Sequence, residues 1–139
     1  MEIESKIGKI EKSEEVIYRF LSDFNNFKSL VPADKIQNWS ATQDHCHFSV
    51  ARMGETGLRI IERTPNKLIK ITTEEGSSLD FLMWIQLKEI AEKDTRIKIT
   101  LRAELNPMIS AMVKGPLKTF ADSLIDQMES FPFVISVSS

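Results

Sequence analysis

The residues best equipped for chemistry lie together at His45-Cys46-His47, where a thiol sits between two imidazoles. The surrounding residues read as a strand, and successive side chains of a strand point to opposite faces. Cys46 then turns inward with Phe48 and Val50 while both histidines turn outward, so the three groups do not converge and a tetrahedral metal would lack ligands. The thiol reads as a small buried hydrophobe, and neither a metal site nor a nucleophile–base pair is expected. Acid–base work would need a titratable group facing an interior cavity. Asp80 or Glu104 could supply one if a bulge turned it in, and Tyr18 if its helix rotated. Arg59 and Arg63, read on one face of a strand, could hold an acidic head group, although arginines on strands are mostly solvated. No residue is assigned a catalytic role, and no cofactor is implied.

The elements that would position these residues belong to one domain. A chain of 139 residues can bury roughly two-thirds of its unfolded surface, so it needs no staple. Its one cysteine cannot form an internal disulfide, which fits a reducing compartment. The opening residues, Met1 to Lys6, lack the basic and apolar regions of an export signal, and the longest apolar run, Phe81 to Ile85, is far short of the ~20 residues of a membrane span. A soluble, cytoplasmic protein is the expectation. Eighteen basic and twenty acidic residues are scattered rather than gathered into a patch, which disfavours nucleic acid as the main partner.

The first segment, Ile3 to Ile10, alternates like a strand but slips phase near Gly8, as a β-bulge or bend would require. Ser13 reads as the N-cap of a short helix, with Glu14 and Glu15 in its first turn and Val16, Ile17, Phe20, Leu21 and Phe24 on its apolar face. Phe27, Leu30 and Val31 add a second short helical stretch ended by Pro32. From Lys35 to Leu105 the period is two, with turn signals at Gln43-Asp44, Met53-Gly54, Pro65-Asn66, Gly76-Ser77 and Lys93-Asp94, so six antiparallel strands are expected. Strict alternation sends Leu82 and Trp84 to the outer face, unless a bulge returns Trp84 to the core. The direction of Trp39 depends on a change of phase after Ile36. Asn106-Pro107 then opens a long helix whose apolar residues run from Ile109 through Met112, Val113, Leu117, Phe120 and Leu124 to Phe131. A kink is expected at Gly115-Pro116.

Two stretches carry a resemblance: Ser13-Glu14-Glu15-Val16-Ile17 through Phe24 to Leu30-Val31-Pro32, and Asp94-Thr95-Arg96-Ile97-Lys98-Ile99 through Leu105-Asn106-Pro107 to Gly115-Pro116-Leu117. With the order strand, two short helices, six strands, long helix, the chain resembles the SRPBCC, or START-like, helix-grip superfamily over nearly its whole length. It is most similar to the polyketide cyclase/dehydrase-like group. The glycine-rich loop of the allergen and plant-hormone-receptor branch is reduced here to Gly54-Glu55-Thr56-Gly57, and no distinctive motif of the Hsp90-activator branch is present. The resemblance implies an α+β, Bet v 1-like fold in which a curved, seven-stranded antiparallel sheet grips the C-terminal helix, and the residue pattern places bends of that sheet at Gly8 and Gly57. It also implies a cavity for a small hydrophobic molecule of lipid or polyketide type. The candidate ligand-binding residues are Phe48, Met83, Ile85, Met112, Val113, Leu117 and Phe120, on elements that the resemblance matches, with Trp39 read at the cavity mouth; most would also serve as ordinary core.

The helix-grip domain is read over 1–131 and an apolar tail over 132–139. The alternation of Phe133, Val134, Ile135, Ser136 and Val137 suggests that the tail adds to a sheet edge, within its own molecule or in a homodimer. Noncatalytic binding or transport of a hydrophobic ligand is the leading expectation. A protein-interaction module using the outer sheet face or the tail is the alternative, and cyclase-like catalysis is the third reading.

Overall fold

A computed structural model describes residues 1–31, 34, 36–50, 54–77 and 80–133. The sequence readings at Pro32, Lys35, Met53 and 134–139 lie outside the described residues. The chain forms one large antiparallel sheet with two short helical segments and a long C-terminal helix. Strands β1 (Glu2–Glu4) and β2 (Gly8–Ile10) precede helix α1 (Glu14–Leu21) and a 3-10 helix (Phe24–Ser29). β3 (Ile36–Ala41), β4 (His45–Val50), β5 (Gly54–Thr64), β6 (Leu68–Thr73), β7 (Leu82–Ala91) and β8 (Asp94–Arg102) follow. Helix α2 (Pro107–Ser130) closes the order. The sheet runs β1-β8-β7-β6-β5-β4-β3, and β2 also pairs with β8.

The expected first strand is thus two short ones divided by a bulge. The Ser5 N–H donates to the Ile99 carbonyl and Gly8 pairs with Ile97, so this strand advances three residues while β8 advances two. The glycine at the slip has a second reason to be there. A Cβ at Gly8 would lie 2.6 Å from Ile125 Cγ2 and 3.0 Å from Ile97 Cγ2, so α2 rests directly on this strand. The irregularity of β5 falls between Ile60 and Glu62 rather than at the expected bend, Gly57.

Local chemistry sets the helix ends. The Ser13 hydroxyl accepts from the Val16 N–H at 3.3 Å, and the Asn106 side chain accepts from the Ile109 N–H at 2.9 Å with Pro107 at the first helical position. Glu14 then ties α1 to the sheet, accepting from Lys67 Nζ at 2.8 Å and from the Glu89 N–H at 3.1 Å. Alternation puts Ile69, Ile71, Met83, Ile85, Leu87, Ile97, Ile99 and Leu101 on one buried face of the sheet. Ile17, Leu21, Phe24, Phe27, Leu124, Ile125 and Met128 cover it from the helices. The N-terminal end of α2 lies by the β8 terminus. Its C-terminal end lies by α1, where Phe131 and Phe133 enclose the Phe20 ring at 4.7 and 5.2 Å.

Candidate functional site

The long helix is held unevenly. Ala121, Leu124, Ile125 and Met128 are buried, and every buried residue of α2 comes from this second half. In the first half Met108 is 76%, Met112 70% and Ile109 41% exposed. Helical geometry explains the change. At about 100° per residue, Met108 and Met112 lie about 160° round the helix from the centre of the buried stripe, although their spacing of three and four continues it on paper. Ile109, Val113, Leu117 and Phe120 form an adjoining stripe that meets the core progressively. Phe120 and Leu117 pack against it, Val113 is half-buried, and Ile109 stands clear.

The eight residues read as ligand-binding therefore separate into three groups. Phe48, Met83 and Ile85 are buried in the core. Trp39, Leu117 and Phe120 are partly buried and packed on it, while Val113 and Met112 lie outward along the helix, Met112 on the solvent side. Trp39 takes the inward direction because β3 changes phase. Its register shifts between Gln37 and Ser40, Asn38 adopts a positive φ of 57°, and the indole stacks on Phe48 with centroids 5.6 Å apart. Val50 and Phe81, also partly buried against the core, lie at the same end of the sheet as the start of α2.

The polar candidates are dispersed. Cys46 is buried, and that burial pushes its thiol up to about 12, far from a nucleophile's range. His45 Nδ1 lies 2.5 Å from Glu74 Oε1 on the outer face, where His47, Glu55, Gly57, Glu74, Glu75, Gly76 and Ser77 border a depression of about 160 Å³. Among the described residues no group of three or more His, Cys, Asp or Glu side chains could hold a metal ion. Asp80 is exposed and accepts from the Thr73 hydroxyl at 2.6 Å, and Glu104 is exposed. Buried polar residues among those described are Ser5, Thr56, Thr73, Thr95 and Thr100.

Arg59 and Arg63 do not share a face. The bulge between Ile60 and Glu62 leaves Arg59 opposite Thr72 on the outside, whereas Arg63 stands opposite Ile69 on the inside. Arg63 is consumed structurally, donating to the Ser22 carbonyl at 2.8 Å and to Asp44 Oδ1 at 2.6 Å. The reading of the two as one anion clamp is corrected by that single extra residue. Trp84 does face outward, with Lys70 Nζ 5.4 Å and the Arg102 guanidinium 5.3 Å from its ring centre. Two cations thus cover the ring.

A second depression, of about 530 Å³, lies at the edge of the sheet between β1 and the middle of α2. Glu2, Ile3, Glu4, Ala111, Lys114, Gly115 and Lys118 line it. No sequence signal marked it, because it is made by two segments more than a hundred residues apart.

A curved antiparallel sheet closed over a long C-terminal helix, with two short helical segments between the split first strand (β1 and β2) and β3, is the helix-grip fold of START and Bet v 1-like proteins. Among solved structures, a START superfamily protein from Mycobacterium smegmatis superimposes with a TM-score of 0.66 at 14% identity, covering 92% of this chain and 97% of the other. A norcoclaurine synthase point mutant from Thalictrum flavum, in complex with a transition-state analogue, gives 0.70 at 15% identity over 92% and 93%. The Aha1 dimer of Colwellia psychrerythraea gives 0.67 at 18% identity over 94% and 97%. No protein-family model and no curated protein matches the sequence. The likeness is therefore one of fold. No helix among the described residues is long and apolar enough to cross a membrane.

Proposed function

We propose that this protein binds or carries a small hydrophobic molecule, of lipid or polyketide type, between the sheet and the first half of α2, without transforming it. The observation that supports this is the uneven grip. One continuous apolar stripe, Ile109-Val113-Leu117-Phe120, leads from solvent into the core, and the partly buried Trp39, Val50 and Phe81 lie at the same end of the sheet. Covering an Ile, Val or Met side chain fully is worth about 1.5–3 kcal/mol. A greasy ligand thus finds at this end the apolar surface that the protein leaves unburied. The solved norcoclaurine synthase structure, in complex with a transition-state analogue, supports a fold that admits an organic ligand.

Catalysis lacks a corresponding observation, since the buried polar residues among those described are one serine and four threonines. An interaction role has one in its favour: Met108 and Met112 stand on the solvent side of the helix. Lys70 and Arg102 over Trp84 argue against the outer sheet face as the apolar contact of a homodimer, leaving the C-terminal tail as the route to one.

The test is gentle native mass spectrometry of the purified protein, followed by titration with the fluorescent fatty acid dansyl-undecanoic acid. A co-purified adduct, or saturable one-to-one binding weakened at least fivefold by Val113→Asp with unchanged circular dichroism, is the expected result. Absence of both adduct and saturable binding overturns the proposal.

A further inference from the structure

The β1 edge of the sheet borders a groove that the ligand proposal does not use. β1 ends the strand order, and its backbone alternates between β8 and the open side. Met1 exchanges hydrogen bonds with Ala103, and the Ser5 N–H donates to the Ile99 carbonyl, so the odd-numbered residues face β8. The N–H and C=O groups of Glu2 and Glu4 therefore face outward. Further along, α2 covers the edge with carboxylates: the Lys6 N–H donates to Asp122 Oδ1 at 2.7 Å and the Lys9 N–H to Glu129 Oε2 at 3.0 Å. At Glu2 and Glu4 this cover gives way to the groove of about 530 Å³. The two glutamate side chains are drawn onto the sheet's outer face, Glu2 to Arg102 and Glu4 to Lys98, each at 3.0 Å, so they leave the backbone edge clear. On the facing helix Gly115 has no Cβ, and one built there would meet nothing within 4 Å. Among the described residues nothing pairs with this edge or fills the helix face beside it, which is the receptor geometry for an added strand.

We infer that this groove receives residues 134–138 of a second copy of the chain, paired antiparallel or parallel to Glu2–Glu4. The segment Val134-Ile135-Ser136-Val137-Ser138 is rich in β-branched residues, and its alternation sets Ile135 and Val137 against Ala111 and Gly115 while Ser136 faces water. The molecule's own segment does not fit. Phe133 is buried beside Phe20 and Phe131 at the far end of α2. From Phe131 the groove begins about 20 Å back along the helix, at Lys118, and extends to about 30 Å, at Ala111. Residues 134–138 span at most about 18 Å when extended, so the molecule's own copy of this segment stops short of the groove and cannot run beside Glu2 and Glu4. Two copies exchanging segments about a two-fold axis satisfy both grooves and close the assembly.

The test measures the solution mass of the full chain from 1 to 300 μM by sedimentation. Three variants accompany it: a segment variant, Ile135→Asp with Val137→Asp, and two groove variants, Gly115→Arg and Ala111→Arg. Circular dichroism confirms that each is folded. A wild-type dimer is expected, with association weakened at least tenfold in the segment variant and in at least one groove variant. Mixing the segment variant with that groove variant should restore dimers, because one intact segment and one intact groove remain in the pair. Hydrogen exchange at the Glu2 and Glu4 amides should slow as concentration rises. A monomeric wild type at every concentration, or a dimer indifferent to all three variants, overturns the inference. Protection at Glu2 and Glu4 that is independent of concentration assigns the groove to the molecule's own residues and overturns it equally.

Discussion

The two halves of α2 are built from similar residues and do opposite things. From Ala121 onward the helix presses into the sheet so closely that a Cβ at Gly8 would have to displace Ile125 or Ile97, while before Pro116 it leaves Met108, Ile109 and Met112 in water and Gly115 with no neighbour within 4 Å of its Cβ position. A fold stabilised by one end of its longest helix has the other end free for work that does not threaten the core. The closed end belongs to stability, and the proposed ligand site gives the open end to recognition.

The largest effect should come from the closed half. Ile125→Ala removes a fully buried side chain and should lower the unfolding free energy by about 2–5 kcal/mol in urea titrations, whereas Met112→Ala should stay within about 0.5 kcal/mol. Equal losses would erase the distinction between the halves. Gly8→Ala is the next test, expected to cost about 1–3 kcal/mol because its methyl must displace Ile125 or Ile97. Gly115→Ala should instead be neutral or stabilising by less than about 1 kcal/mol, the gain in helix propensity being offset by the restriction on a residue before proline.

Acidity should also act at the closed end. The Lys67 ammonium beside Glu14 holds its carboxyl below the ordinary 4.5, helped by the backbone at Glu89. A depressed carboxylate contributes stability that is fully present above pH 4.5 and is lost as pH falls through its lower folded value. The drop in urea midpoint between pH 7 and pH 3 should therefore be smaller in Glu14→Gln than in the wild type. The smallest effect is expected on the sheet that both halves share. Thr100 Oγ1 is buried without a hydrogen-bond partner, so Thr100→Val should be neutral or stabilising by up to about 1 kcal/mol in thermal melts.

The architecture was legible because local chemistry and pattern agreed. The alternation of Ile97, Ile99 and Leu101, the caps at Ser13 and Asn106, and the phase slip before Gly8 all appear in the structure. The site was less legible because it depends on single-residue register. One bulge in β5 sends Arg59 and Arg63 to opposite faces, and one shift in β3 brings Trp39 onto Phe48. Met112 satisfies a three-and-four repeat yet falls on the wrong side of the helix. The edge groove rests on contacts such as Lys6 to Asp122, 116 residues apart, which no local pattern encodes.

The most direct test of the open end is amide hydrogen exchange along α2, measured with and without saturating dansyl-undecanoic acid. Without the probe, residues 108–117 should exchange faster than 121–128. With it, new protection should be confined to 108–120 and the inner strands around Phe48 and Met83. Uniform exchange along the helix, or protection that falls on the outer sheet face around Trp84, would contradict a ligand site at the open half of the grip.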